Sequence, residues 1–189
     1  NTRFAQYVKS DLEVSHSHMF DEYNSLVGRA FVGVGLPYGN FDVLPFEKKY
    51  FTGGANGIRA WQVRSLGPGS YKASDDSYPN QSSDVKLEAN VEYRFLLTGF
   101  LEGAIFVDAG NIWAINEKDN RLGAQFKFNK FYKQIALGTG AGLRFDLNYF
   151  IFRLDLGLKL HDPSAELGEN WIIGNRSLTK EDLNLSFAI

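Results

Sequence analysis

Apolar and polar residues alternate with period two along most of this chain, and helical periodicity is nearly absent. Over 85–97, Val85, Leu87, Ala89, Val91, Tyr93, Phe95 and Leu97 fall on one face, and Lys86, Glu88, Asn90, Glu92 and Arg94 on the other. Over 101–111, Leu101, Gly103, Ile105, Val107 and Ala109 oppose Glu102, Ala104, Phe106, Asp108 and Gly110. At 134–147, Leu137, Leu143 and Phe145 oppose Gly138, Gly140, Gly142 and Arg144. At 150–161, Phe152, Leu154, Leu156 and Leu158 oppose Arg153, Asp155, Gly157 and Lys159. The chain closes with Leu183, Leu185, Phe187 and Ile189 against Asn184, Ser186 and Ala188. With two further strands near 3–16 and 26–36, the pattern predicts an all-β fold of about seven strands.

Alternation alone leaves two readings open. In a soluble sandwich or barrel the apolar face points into a core. In a transmembrane barrel it points to lipid, and the polar face lines the lumen. Three features favour lipid. The strands run to about 10 residues or more, against a usual 5–6, and about 9–11 are needed to cross a bilayer obliquely. The polar faces carry both charge signs and glycines, which a wet or plugged lumen accommodates. Long connections at 37–84, 112–133 and 162–182 alternate with short ones at 98–100 and Asn148-Tyr149, as extracellular loops alternate with periplasmic turns. Single-chain bacterial barrels have an even number of strands, and open edges are not tolerated in lipid. Seven strands are therefore expected to be part of a larger antiparallel barrel. The strand-like start at Asn1-Thr2-Arg3-Phe4, without signal-peptide character, fits that expectation.

Composition narrows the chemistry. The 189 residues are 44% hydrophobic, too apolar for a disordered chain. A net charge of -2 gives no basic footprint, so no nucleic-acid partner is expected. The absence of Cys excludes disulfides, thiolate metal sites and a cysteine nucleophile. No apolar run approaches the roughly 18 residues of a transmembrane helix. His16 and His18 share a strand face but lack a third ligand, and Asp75, Asp76 and Asp84 lack calcium-loop spacing, so no metal is expected. The glycine-rich run at 51–57 lacks the Gly-Lys-Ser/Thr ending of a phosphate cradle. Glu88, Glu92, Glu102 and Asp108 could in principle pair for hydrolysis. With Lys86, Arg94, Arg144 and Arg153 on nearby faces they read instead as charge balance, and no nucleophile–base set is evident. Neither an enzyme nor a cofactor is expected.

Three motifs, in order, carry a resemblance. Phe51-Thr52-Gly53-Gly54 leads to Ile58-Arg59-Ala60-Trp61 and then Gly67-Pro68. The segment from Leu87-Glu88 to Arg94-Phe95 follows, and then Phe106-Val107-Asp108-Ala109-Gly110. This combination resembles the bacterial surface antigen superfamily of outer-membrane assembly and translocation barrels, the BamA/TamA-like proteins. Their long sixth extracellular loop carries Gly-Gly, Val/Ile-Arg-Gly-Phe/Tyr and Gly-Pro, and a later strand carries aromatic-x-Asp-x-Gly. Asp182-Leu183-Asn184-Leu185-Ser186-Phe187 looks like the family's last strand. Ala60 stands where the family has Gly and Trp61 where it has Phe or Tyr, a form similar to the TamL proteins of Bacteroidetes. The ending Phe187-Ala188-Ile189 departs from the family's terminal aromatic residue.

The resemblance implies that residues 1–189 are the C-terminal portion of a barrel that is 16-stranded when complete. It places 37–84 as a long extracellular loop, with upstream strands and periplasmic domains outside this chain. Gly53, Gly54 and Gly57 would permit a compact loop path with positive φ. Parity puts Glu92 and Asp108 on lumen faces, so a loop folded inward could set Arg59 against both carboxylates as a structural latch. Ile58 and Trp61 would enter the lumen with it. A solvated, unpaired Arg59 is the plainer reading of the residues alone.

The implied function is insertion or translocation of outer-membrane proteins through a lateral seam, with Leu183, Leu185 and Phe187 on one side of it. The implied partners are outer-membrane lipids and lipopolysaccharide, nascent outer-membrane proteins, and accessory periplasmic or lipoprotein subunits. A transport or binding barrel, a barrel anchoring a fused upstream domain, and a soluble ligand-binding barrel stay open as alternatives.

Overall fold

The computed structural model describes residues 4–73, 80–147, 149–166 and 168–189. Asp75, Asp76, Asn148 and residue 3, where the first strand was expected to begin, lie outside them. Seven strands form one antiparallel sheet in chain order: β1 (Gln6–Met19), β2 (Asn24–Tyr38), β3 (Val85–Thr98), β4 (Leu101–Trp113), β5 (Ala136–Asp146), β6 (Ile151–His161) and β7 (Leu183–Ala188). Helical structure among the described residues amounts to single turns, such as Phe46–Lys48. β1 starts and ends later than the alternation suggests. Its pairing with β2 continues through His16↔Gly28 to Met19↔Ser25. Asp21 then closes the turn by accepting the Tyr23 N–H at 2.8 Å. The polar run Ser15-His16-Ser17-His18 hides this stretch from a hydrophobic pattern.

Short turns at 20–23, 99–100 and 147–150 lie at one end of the sheet. Long connections at 39–84, 114–135 and 162–182 lie at the other. Burial is inverted relative to a water-soluble sheet. Val91, Ile105, Leu156 and Leu185 are 48–55% exposed, whereas Glu92, Asp108, Arg144 and Asp155 are 6% exposed or less. The outward face also carries aromatics near the short-turn end. Phe145 and Phe152 lie 6.1 Å apart, Phe152 and Phe187 6.3 Å, and Tyr93 and Phe95 6.0 Å. An apolar outer band with an aromatic girdle is the outer surface of a barrel dissolved in lipid.

The sheet curls around its charged face. Asn56, in the 39–84 connection, accepts Arg29 of β2 on its carbonyl at 3.0 Å and is also bonded by Arg153 of β6. Those strands are four steps apart, or about 19 Å in a flat sheet at roughly 4.8 Å per step. One asparagine can join them only if the sheet wraps around it.

β7, with six residues, is the shortest strand, and it is anchored at its start. Asp182 is 1% exposed. Its carboxylate accepts Arg176 Nη1 at 2.9 Å, and the Thr179 N–H and hydroxyl at 2.8 Å each. Burial pushes the Asp182 carboxyl up, but Arg176 and the Thr179 donors outweigh it and hold it below the usual 3.8.

Two outcomes follow. Leu156→Arg, at mid-strand on the lipid face, should destabilise the barrel by about 2–4 kcal/mol. Reversible urea unfolding of the full-length protein in vesicles measures this, and an unchanged midpoint contradicts lipid contact. The second concerns pH. A depressed carboxyl stabilises the fold fully above its unfolded value, and that stabilisation is lost as pH falls through the folded one. Amide protection at the start of β7 should therefore fall below about pH 3.8, and Asp182→Asn should flatten that dependence.

Candidate functional site

The described part of the 39–84 connection folds into a closed finger rather than an open loop. Tyr50 and Ser83 exchange backbone hydrogen bonds of 2.8 Å at its base. Arg64 N–H donates to Thr52 at 3.0 Å, and Gly54 N–H to Trp61 at 2.7 Å, so the two legs zip together toward the tip. Gly53 and Gly54 turn with φ of 92° and 80°, which a side chain would strain. Gly57 differs from expectation: it has no positive φ, and its role is space. A Cβ there would come within 3.0 Å of both Glu88 Oε1 and the Gly53 carbonyl.

The finger points into the sheet's charged concavity. Ile58, Arg59, Ala60 and Trp61 are 0–4% exposed. Ile58, Ala60, Trp61, Leu66 and Ala136 form an apolar cluster around the tip. Lys159 Nζ sits 5.2 Å from the Trp61 ring centroid. Ala60, where the resemblance expects glycine, is accommodated because residue 138 has no side chain: a Cβ there would lie 2.7 Å from the Ala60 methyl.

The structure brings Arg59, Asp108 and Glu92 together. Asp108, at 0% exposure, accepts Arg59 Nε at 2.9 Å, Nη2 at 2.8 Å and the Arg59 backbone N–H at 3.0 Å. Asn90, its cross-strand neighbour, adds a fourth donor at 2.9 Å. Arg59 Nη1 bonds Glu92, and the guanidinium lies 3.5 Å from the centroid of Phe106, which fills the space beneath it. Phe106 and Asp108 can do both because they are two residues apart on one strand face. Gly110 continues that face, and a Cβ there would press on Ile58 Cδ1 at 3.1 Å.

The network reaches further than the three residues singled out from the sequence. Arg144 of β5 donates to Glu92 at 2.9 Å, and Arg94 donates to it at 2.7 Å. Arg144 Nη1 approaches Asp155 Oδ1 of β6 to 2.6 Å, off the hydrogen-bond direction. Arg59, Arg144 and the half-buried Arg94 thus face Glu92, Asp108 and Asp155, three charges of each sign. Parity places Arg144 and Asp155 inward, but only the curl of the sheet brings β5 and β6 side chains to Glu92. Asn184 of β7 donates to the Arg59 carbonyl at 2.8 Å, a contact across 125 residues with no sequence signal beyond an inward position. Leu183, Leu185 and Phe187 sit on the outward face of β7, 48–62% exposed, at the edge of the sheet. His16 and His18 are exposed on β1, and no group of His, Asp or Glu among the described residues is arranged to hold a metal.

A lipid-facing outer surface and a lumen filled by an inward loop on buried ion pairs define a transmembrane β-barrel of the bacterial outer membrane. Comparison with known proteins narrows this class. The model of the Omp85 superfamily domain matches residues 4–176, and the chain belongs to that superfamily. Among solved structures, BamA from Haemophilus ducreyi lacking POTRA domains 1-3 superposes with a TM-score of 0.66 at 15% identity. The match covers 96% of this chain and 34% of that one. At that identity the likeness speaks for the fold.

Arg59→Lys keeps the charge but loses the planar fork that meets Asp108 with two nitrogens. It should cost roughly 2–3 kcal/mol. Limited proteolysis of the 39–84 connection and unfolding midpoints measure this; wild-type values for both would contradict a requirement for the fork.

Proposed function

We propose that this chain is the C-terminal, loop-bearing part of a barrel that inserts or translocates outer-membrane proteins through a lateral seam. The observation that carries the proposal is the locked finger: Arg59 on Asp108 and Glu92, in a member of the Omp85 superfamily. The latch is structural. Its chemistry is charge-assisted hydrogen bonding between buried side chains, strong when complete and costly when one partner is removed.

β7 forms one lip of the seam. It is the shortest strand of the sheet and carries Leu183, Leu185 and Phe187 toward lipid. When the seam opens, an incoming strand adds along its backbone by β-augmentation. Nascent outer-membrane proteins are the substrates. Outer-membrane lipids, lipopolysaccharide and accessory periplasmic or lipoprotein subunits are the surroundings in which they are handled. Ala60, seated against Gly138, supports a TamL-type barrel within the superfamily. The finger fills the concavity, which weighs against an open transport pore.

The test uses the full-length protein in vesicles, with insertion of a client barrel followed in time. Arg59→Ala should expose the finger to protease and slow insertion severalfold while the mutant barrel itself still enters the membrane. Wild-type insertion rates with a released finger would refute the latch's role. Steady ion conductance without any client insertion would instead favour a transport barrel.

A further inference from the structure

The last strand and the loop tip meet at one hydrogen bond, from Asn184 Nδ2 to the Arg59 carbonyl at 2.8 Å. The bond is built into the sheet's register. Asn184 pairs across with Gly157 of β6. A Cβ on Gly157 would lie 2.7 Å from the Arg59 carbonyl oxygen, the Ala60 nitrogen and the Ala60 Cα. The loop backbone thus rests on the bare backbone of β6, low enough for Asn184 to reach it. On the other side of Arg59, the same residue's N–H and guanidinium are fixed to Asp108 of β4. Arg59 is therefore gripped by its side chain and N–H from β4 and by its carbonyl from β7.

β7 has few other lumen-side ties. Ser186 Oγ, the next inward group, is buried with no hydrogen-bond partner among the described residues. The strand's outward residues are exposed, and it forms the sheet edge. We infer that Asn184 is a positioning residue that couples the seated loop tip to β7, so that the state of the latch sets how firmly that strand is held. The functional meaning of this coupling rests on the seam reading above, but the coupling itself does not. A seated tip holds β7 against the sheet. A displaced tip removes the acceptor, and β7 loses this lumen-side tie.

The test is amide hydrogen exchange by mass spectrometry on the full-length protein in vesicles, read separately over residues 57–62 and 183–188. Asn184→Ala should speed exchange at 183–188 roughly threefold to tenfold, the worth of about one hydrogen bond, and leave 57–62 protected. Gly157→Ala leaves both bonded groups in place but lifts the loop backbone, and should speed exchange at 57–62 and 183–188 together. It also reads the contact should Asn184→Ala not fold. Arg59→Ala should release both segments. In an Asn184→Ala background it should add nothing further at 183–188, a non-additivity that a purely local structural role would not produce. Unchanged exchange at 183–188 in Asn184→Ala and Gly157→Ala, or full additivity with Arg59→Ala, overturns the inference. Client insertion is measured on the same samples. Coupled exchange with unaltered insertion would leave Asn184 as assigned and refute the seam function instead.

Discussion

A buried guanidinium that must be neutralised is the constraint on which this structure depends. Arg59 is 4% exposed, and a buried charge without a partner is not sustainable. Every feature around it serves that requirement. Asp108 takes three bonds from the same residue, and Asn90 orients the carboxylate. Glu92 is shared among Arg59, Arg94 and Arg144, and Arg144 in turn meets Asp155. The chain of contacts runs from the finger through β3, β4, β5 and β6. Removing Arg59 or Asp108 alone leaves a buried charge uncompensated, a loss of roughly 3–5 kcal/mol.

The second constraint is that the two faces of the sheet have different solvents. Outward residues such as Val91 and Leu156 have no protein to pack against, and lipid supplies their contact. Inward residues have no lipid and little water, so charge pairs and the finger fill the space. The finger is a substitute core. Ile58, Ala60, Trp61 and Leu66 supply the apolar volume that a soluble sheet would take from a second layer. Glycines at 57, 138 and 157 set how closely that substitute can approach, since a methyl at each would meet the finger or its supports.

Most of the fold was legible in the sequence because strand parity is a strict period of two. Once Val91 is outward, Glu92 is inward, and the same logic places Asp108, Arg144, Asp155 and Asn184. The strand bounds erred where parity carries no hydrophobic contrast, as at Ser15-His16-Ser17-His18 in β1. Parity says which face a residue shares but not which inward residues meet. That depends on curl and register, so Arg144 reads as general charge balance and Asp155 only as an inward position, not as neighbours in the Glu92 network. Asn184 was silent for the same reason: its partner is a backbone carbonyl 125 residues away. Gly57 was misread because composition cannot separate a glycine needed for positive φ from one needed for space.

The central claim is that Arg59 and Asp108 act as one unit that seats the finger. A double-mutant cycle on the full-length protein in vesicles tests it most directly, with unfolding free energies for Arg59→Ala, Asp108→Ala and the double variant. If the two residues form one unit, the second substitution costs little once the first is made, giving a coupling energy of about 2 kcal/mol or more, within the range for residues in one ion-pair network. Costs that add to within about 0.5 kcal/mol, as for distant independent sites, would mean that the pair does not hold the finger.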